Sequence, residues 1–156
     1  MNQTDLNHLH RCVALAAQAV EAGDAPFGSI LVAGDGAVLF EDRNRIGGGD
    51  PTRHPEFAIV RWAVEHLSPE DRRAATVYTS GEHCAMCAAA HGLAGLGRIV
   101  YASSTAQLTR WMEELGKPPL GITPLPITAV IEDAEVEGPV EALADTIRAL
   151  HARSRA

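Results

Sequence analysis

His54-Pro55-Glu56 and, thirty residues further on, Cys84-Ala85-Met86-Cys87 are the segments on which the reading of this chain turns. One histidine and two cysteines make three ligands suited to Zn²⁺. A tetrahedral zinc with three protein ligands keeps one position for water, the mark of a catalytic rather than a structural site. Glu56 lies two residues from the histidine and is free to move protons. Cys84 and Cys87, at i and i+3, share one face of a helix, and the dipole of a first turn favours thiolate there. His54 and Glu56, at i and i+2, share no face of a regular helix. They can flank one site only where the chain enters a helix from a loop. The two motifs therefore predict two helix N-termini converging on one metal.

Working outward, Leu6, Leu9, Val13, Ala16, Ala17 and Val20 recur at helical spacing and predict a helix over about Asp5 to Glu21, stopped by Gly23. Ser29 to Val32 reads as a strand. Gly34-Asp35-Gly36 turns it into a second, Ala37 to Glu41, as a hairpin. A glycine-rich loop from Ile46 to Pro51 leads to a helix that runs to about His66, with Pro55 in the first turn where a missing N–H costs nothing. Ser68-Pro69-Glu70-Asp71 reads as a break. A strand from Ala75 to Thr79 precedes a small-residue helix, Cys84 to about Ala94, closed by Gly95. Then come a strand (Arg98 to Ala102), a helix (about Thr105 to Leu115), an irregular connection from Lys117-Pro118-Pro119, a strand (Ile127 to Ile131) and a last helix (Val140 to Ala152). Strands alternating with helices imply parallel pairing by right-handed crossovers. The expected fold is α/β: a three-layer α/β/α sandwich around a mixed sheet of about five strands. Its N-terminal hairpin is antiparallel and its later strands are parallel.

The bulk numbers narrow the function classes. The 156 residues suit a single domain over 1–156, and 46% are hydrophobic. A net charge of −7 argues against tight nucleic-acid binding, where neutralised phosphates supply most of the affinity. Arg148, Arg153 and Arg155 read as a solvated face rather than a basic patch. No segment has the length and apolarity to span a membrane. The opening residues, MNQTDLNHLHR, lack the pattern of a signal peptide, so a cytoplasmic protein is expected. Three cysteines, an odd number, argue against a disulfide framework. Cys12 reads as a buried core thiol.

Other readings of the motifs are narrower. His83 or His91 as a fourth ligand would close the site and make it structural, leaving the His-x-Glu spacing a coincidence. A CxxC alone suits redox chemistry, but the upstream His54 and Glu56 favour metal.

The pattern resembles the His-x-Glu…Pro-Cys-x-x-Cys signature of zinc deaminases, with His83 where that signature has proline. Most of the chain is similar to the cytidine deaminase-like superfamily, in its branch of guanine, tRNA adenosine and yeast-type cytosine deaminases. Four stretches carry the likeness: Ala25 to Val32; Asn44-Arg45 with Asp50 to Glu56; Tyr78 to Cys87; and Arg98 to Ala102. The resemblance implies that His54, Cys84 and Cys87 hold zinc and that Glu56 is the proton shuttle. It implies that the backbone N–H of Cys84 holds the oxygen added to the ring, that Asn44 bonds the substrate ring and that Phe27 packs against it. His83 would stand at the pocket mouth or behind the metal. Trp111 and Lys117 to Thr123 are expected to form a lid. The family is generally dimeric, so a homodimer is implied.

The expected activity is hydrolytic removal of an exocyclic amine, as ammonia, from a small heterocycle. Guanine is favoured by Pro26-Phe27-Gly28 and Tyr101-Ala102. Cytosine, a nucleoside or another amino-heterocycle is the alternative. A tRNA adenosine deaminase fits the acidic charge poorly. A zinc-stabilised binding module without catalysis is the reading from a different class, and the intact Glu56 argues against it.

Overall fold

The run Gly-Ser-Ile-Leu-Val has no polar face to offer water, and a strand of that kind needs cover on both sides. In the computed structural model, which describes residues 1–156, this run is β1 (Gly28–Val32), and every residue of it is buried. It lies inside a five-stranded sheet of order β2-β1-β3-β4-β5, formed with β2 (Val38–Arg43), β3 (Thr76–Gly81), β4 (Ile99–Ser103) and β5 (Val136–Glu137). β2-β1 and β1-β3 are antiparallel, whereas β3-β4 and β4-β5 are parallel. The expected mixed sheet is thus present. Gly36, at φ 91°, supplies the left-handed residue of the β1-β2 turn.

Alternation along the strands sends Ile30, Val32, Tyr78 and Val100 to one face, where α1 (Gln3–Glu21) and α6 (Glu141–Arg153) cover them with Leu9, Cys12, Leu143 and Ile147. Leu31 and Val77 point to the other face and meet Ile59 and Ala63 of α2 (Pro55–His66). α4 (Ala85–Ala94) packs beside α2 on that face. α1 approaches β1 so closely that a Cβ at Gly28 would collide with the Leu15 side chain and the Cys12 carbonyl. No helix is long and apolar enough to cross a membrane.

Two expectations need correction. Ser68-Pro69-Glu70-Asp71 opens a short helix, α3 (Pro69–Ala74), rather than a plain break. Ser68 caps it by accepting from the Asp71 amide at 3.1 Å, and Pro69 occupies its first position. Ile127 to Ile131 is not a strand. Ile127–Ala129 is a 3₁₀ turn, and the last strand is β5, paired in parallel with β4 through Ile99↔Val136. The amides of that apolar run are engaged elsewhere: Ile127 donates to Glu82, and Val130 and Ile131 both donate back to the Ile127 carbonyl. Its apolarity fills space under α4, with Ile127 buried against Ala88 and Ile99.

One ionic group ties the sheet to the first helix. Asp5, in the first turn of α1, is 3% exposed and accepts from the Tyr78 hydroxyl at 2.7 Å and from Arg98 at 2.9 and 3.2 Å. Arg98 reaches on to Glu137 of β5 at 2.7 Å. The Arg98 guanidinium, helped by Tyr78, holds the Asp5 carboxyl well below the usual carboxylate range. Asp5→Asn keeps the shape but removes the charge opposite Arg98, and is expected to cost about 2 kcal/mol of stability. Because the folded value is depressed, that contribution is present above about pH 4 and lost as pH falls toward the folded value. Thermal melts of the two proteins check this: their gap in Tm persists at neutral pH and narrows in acid.

Candidate active site

His54 and Cys84 are the residues from which α2 and α4 start. His54 (φ −88°, ψ 141°) and Cys84 (φ −67°, ψ 168°) are both N-caps with extended backbone, and neither side chain caps its own helix. Each is therefore free to point away from the helix it begins. The two caps meet: His54 Nδ1 lies 3.6 Å from the Sγ of Cys84 and 3.6 Å from the Sγ of Cys87. All three ligand atoms lie within 4.8 Å of one another, a span a single ion can bridge. Cys87, at the third position of α4, is fully buried. One imidazole and two sulfurs form a donor set that suits zinc. The Cys84 thiol is pulled down to about 4, first by the hydrogen bond from Cys87 and then by the one from His54. The same thiolate, with burial, pushes Cys87 up. Metal binding would draw off the proton the pair retains.

Glu56, the second residue of α2, is 4% exposed. Its Oε1 accepts from the Thr79 hydroxyl at 2.7 Å and from the Ser29 hydroxyl at 3.0 Å. The two hydroxyl oxygens lie 2.8 Å apart, and the two residues face each other across the β1-β3 pair. With Oε1 so occupied, Oε2 is the oxygen turned toward the metal ligands, 4.0 Å from Cys87 Sγ. Burial raises the affinity of this carboxyl for protons. Sequence reading missed Ser29 and Thr79. One signal was there: Ser29 is a lone hydroxyl in a strand otherwise apolar.

A cavity of about 350 Å³ opens above these groups, with Phe27, Asn44, His54, Glu56, Glu82 and Cys84 among its lining residues. Asn44 is buried; its Oδ1 accepts from the Ile46 amide at 3.1 Å, and its Nδ2 has no protein acceptor. The Phe27 ring rests on Gly81, where a Cβ would strike it, and meets His151 edge-on at 5.3 Å. The Cys84 amide donates to no protein acceptor. The outer wall is α5 (Thr105–Glu114) with the irregular chain after it: Leu108, Met112, Lys117, Pro119, Leu120, Ile122 and Thr123 all line the space.

Two residues expected at the pocket lie elsewhere. His83 is 1% exposed and not in the cavity wall. The chain runs extended here, so Glu82 and Cys84 face the cavity while the residue between them turns away. Its ring sits edge-on to His91 at 5.3 Å, and neither ring nitrogen has a partner. His91 in turn reaches the Gly97 carbonyl at 2.8 Å, so neither histidine joins the metal ligands. Trp111 is 3% exposed and packs in the core with Leu143 and Ile147. The residues of α5 that meet the cavity are Thr105, Leu108, Thr109, Met112 and Glu113, and Trp111 is turned away from them into the core. Protein purified without chelator is expected to carry about one zinc per chain, and Cys84→Ser to lose most of it, as read by metal analysis.

Comparison with known proteins agrees with this geometry. The family model for the cytidine and deoxycytidylate deaminase zinc-binding region matches residues 2–103. A "Probable cytosine deaminase" of Schizosaccharomyces pombe is 33% identical over 141 residues, covering 89% of this chain and 86% of that protein. A guanine deaminase of Bacillus subtilis is 37% identical over 103 residues, 63% of this chain and 65% of that protein. The solved guanine deaminase of Nitrosomonas europaea shares the fold, with a TM-score of 0.70 at 18% identity over 93% of this chain and 83% of the other. On the family match and the His54–Cys84–Cys87 cluster, the chain belongs to the cytidine and deoxycytidylate deaminase zinc-binding family and is a zinc-dependent hydrolytic deaminase.

Proposed function

We propose that this protein deaminates a free nucleobase, with guanine as first choice. The observation that carries the reading is the pairing of a buried carboxylate with a roomy, largely uncharged cavity. Water adds to the ring carbon bearing the amine, the C–N bond breaks, and ammonia leaves. Zinc held by His54, Cys84 and Cys87 supplies the acidification of water that this hydrolysis needs at neutral pH. Glu56 takes the water proton at Oε2, passes it to the ring nitrogen, and then helps the amine depart. Ser29 and Thr79 hold Oε1 and so keep Oε2 pointed at the reacting atoms. The free Nδ2 of Asn44 donates to a ring acceptor, Phe27 lies against the ring face, and the Cys84 amide receives the oxygen.

Several features support a base over a nucleotide or RNA. Lys117 is the only lysine or arginine in the wall, and its Nζ donates to the Ser154 carbonyl at 2.6 Å. No guanidinium or second ammonium there would hold a phosphate. A volume of about 350 Å³ leaves room for two fused rings, which favours a purine. Cytosine is the second reading, favoured by a likeness that covers 89% of this chain. The homodimer implied by the resemblance belongs to the same proposal. Val64 on α2 and Leu93 on α4 are apolar side chains left 51% and 90% exposed.

Glu56→Gln is expected to keep zinc and fold and to lower kcat by about 10²–10⁴-fold. Thr79→Val, which removes one anchor of Oε1, is expected to lower kcat by about 10-fold or more with zinc retained. Ammonia release measured on both variants separates the two roles. For the substrate, turnover of guanine, cytosine and a tRNA anticodon stem-loop is compared under one condition. Guanine is expected to be turned over best. Preference for cytosine would select the second reading, and activity on the RNA alone would overturn the free-base proposal.

A further inference from the structure

We infer that Glu82 is a positioning residue that clasps both ends of the cavity's outer wall to the strand carrying the metal site. Its Oε2 accepts from the Thr105 amide at 2.8 Å, and its Oε1 accepts from the Ile127 amide at 2.8 Å. Thr105 is the first residue of α5, and Ile127 opens the 3₁₀ turn that ends the irregular connection. The two amides are the start and finish of one segment, and one carboxylate holds both.

Between them lie Leu108, Met112, Leu120, Ile122 and Leu125, the apolar side of the cavity. Apart from the bond from Lys117 Nζ to the Ser154 carbonyl, the middle of this segment is weakly anchored. Leu120 and Ile122 are 57% and 49% exposed, and the backbone there makes few hydrogen bonds, among them Lys117 to Met112 and Leu125 to Thr123. Its placement therefore depends on its ends. Glu82 is well placed to set them: its own amide donates to the Ser103 carbonyl at 2.8 Å, continuing the β3-β4 ladder. Two residues later the same chain supplies Cys84. A carboxylate accepting from two amides makes charge-assisted bonds, stronger than neutral ones. At the α5 end it also meets the positive end of the helix dipole. The clasp thus sets the distance between the apolar wall and the metal site, and with it how firmly a flat ring is held. This consequence rests on the function proposed above; the clasp itself does not.

The test uses Glu82→Gln, which keeps the side chain's shape but turns one acceptor into an NH₂ group facing an amide donor. Zinc content and circular dichroism should match the unmodified protein. Amide exchange across residues 105–127 should quicken about 10-fold or more, as expected for a lost bond to a charged group, while β1 and α1 are unchanged. On the base that is turned over, KM should rise about 10-fold with kcat within about 3-fold, the pattern of lost uniform binding. Unchanged exchange in a zinc-loaded variant would overturn the clasp. A fall in kcat at constant KM would place Glu82 in the chemistry instead, and overturn it too. In the unmodified protein, the amides of Thr105 and Ile127 should exchange at least about 10-fold more slowly than those of Leu120 and Ile122. Equal rates would refute the proposal even if the variant does not fold. Exchange needs no substrate, so failure of every base to react would count against the proposed function alone.

Discussion

Everything in this site depends on two helix N-caps meeting. A helix start leaves amide groups without partners, and the usual remedy is to spend the cap side chain on them. Here His54 and Cys84 are caps that do not cap. Their side chains are released to each other, with Cys87 one turn behind on the same helix. The sheet makes the meeting possible. β3 delivers Cys84 at its C-terminal end, and the loop after β2 delivers His54, on the face where α2 and α4 pack side by side. Two positive helix ends aimed at one point favour thiolate, and the Cys84 thiol is lowered chiefly by its hydrogen bonds from Cys87 and His54.

The second constraint is the buried carboxylate. A glutamate at 4% exposure would be costly to bury without partners. Ser29 and Thr79 reduce that cost from below, through the sheet, by giving Oε1 two hydroxyl donors. The arrangement is asymmetric: one oxygen is saturated and the other is open toward the metal ligands. A side chain so held can take and return a proton without swinging. The polar patch is also the price of function beside buried isoleucine, leucine and valine of the same central strands.

The outer wall follows a different logic. The floor of the cavity sits on strands and helix starts, whereas the far side is α5 and an irregular, partly exposed chain. Rigid scaffold on one side and looser chain on the other let one chemistry serve different ligands. The Lys117–Ser154 bond fastens this wall to the end of α6, and α6 also brings His151 against Phe27. The wall and the floor are thus linked through the opposite face of the sheet.

Much of this was legible in the sequence because its causes are local. Helical and strand periods, the Gly34-Asp35-Gly36 turn, Pro55 at a helix start and the i, i+3 cysteines all act within a few residues, and they were enough to place the metal ligands and the mixed sheet. What the sequence alone could not decide depends on partners far along the chain. The run Ile127 to Ile131 has a strand's composition, but its amides were claimed by Glu82, forty-five residues earlier, and by its own carbonyls. Trp111 has the character of a pocket aromatic, yet the helix turned it into the core against α6. His83 adjoins a ligand and still points away, because an extended chain alternates its sides. Ser29, Thr79 and Glu56 come from three separate elements and share one oxygen only after the sheet has formed. Periodicity reports which side of an element is buried; which groups meet there is set by packing between elements, and only the tertiary structure decides that.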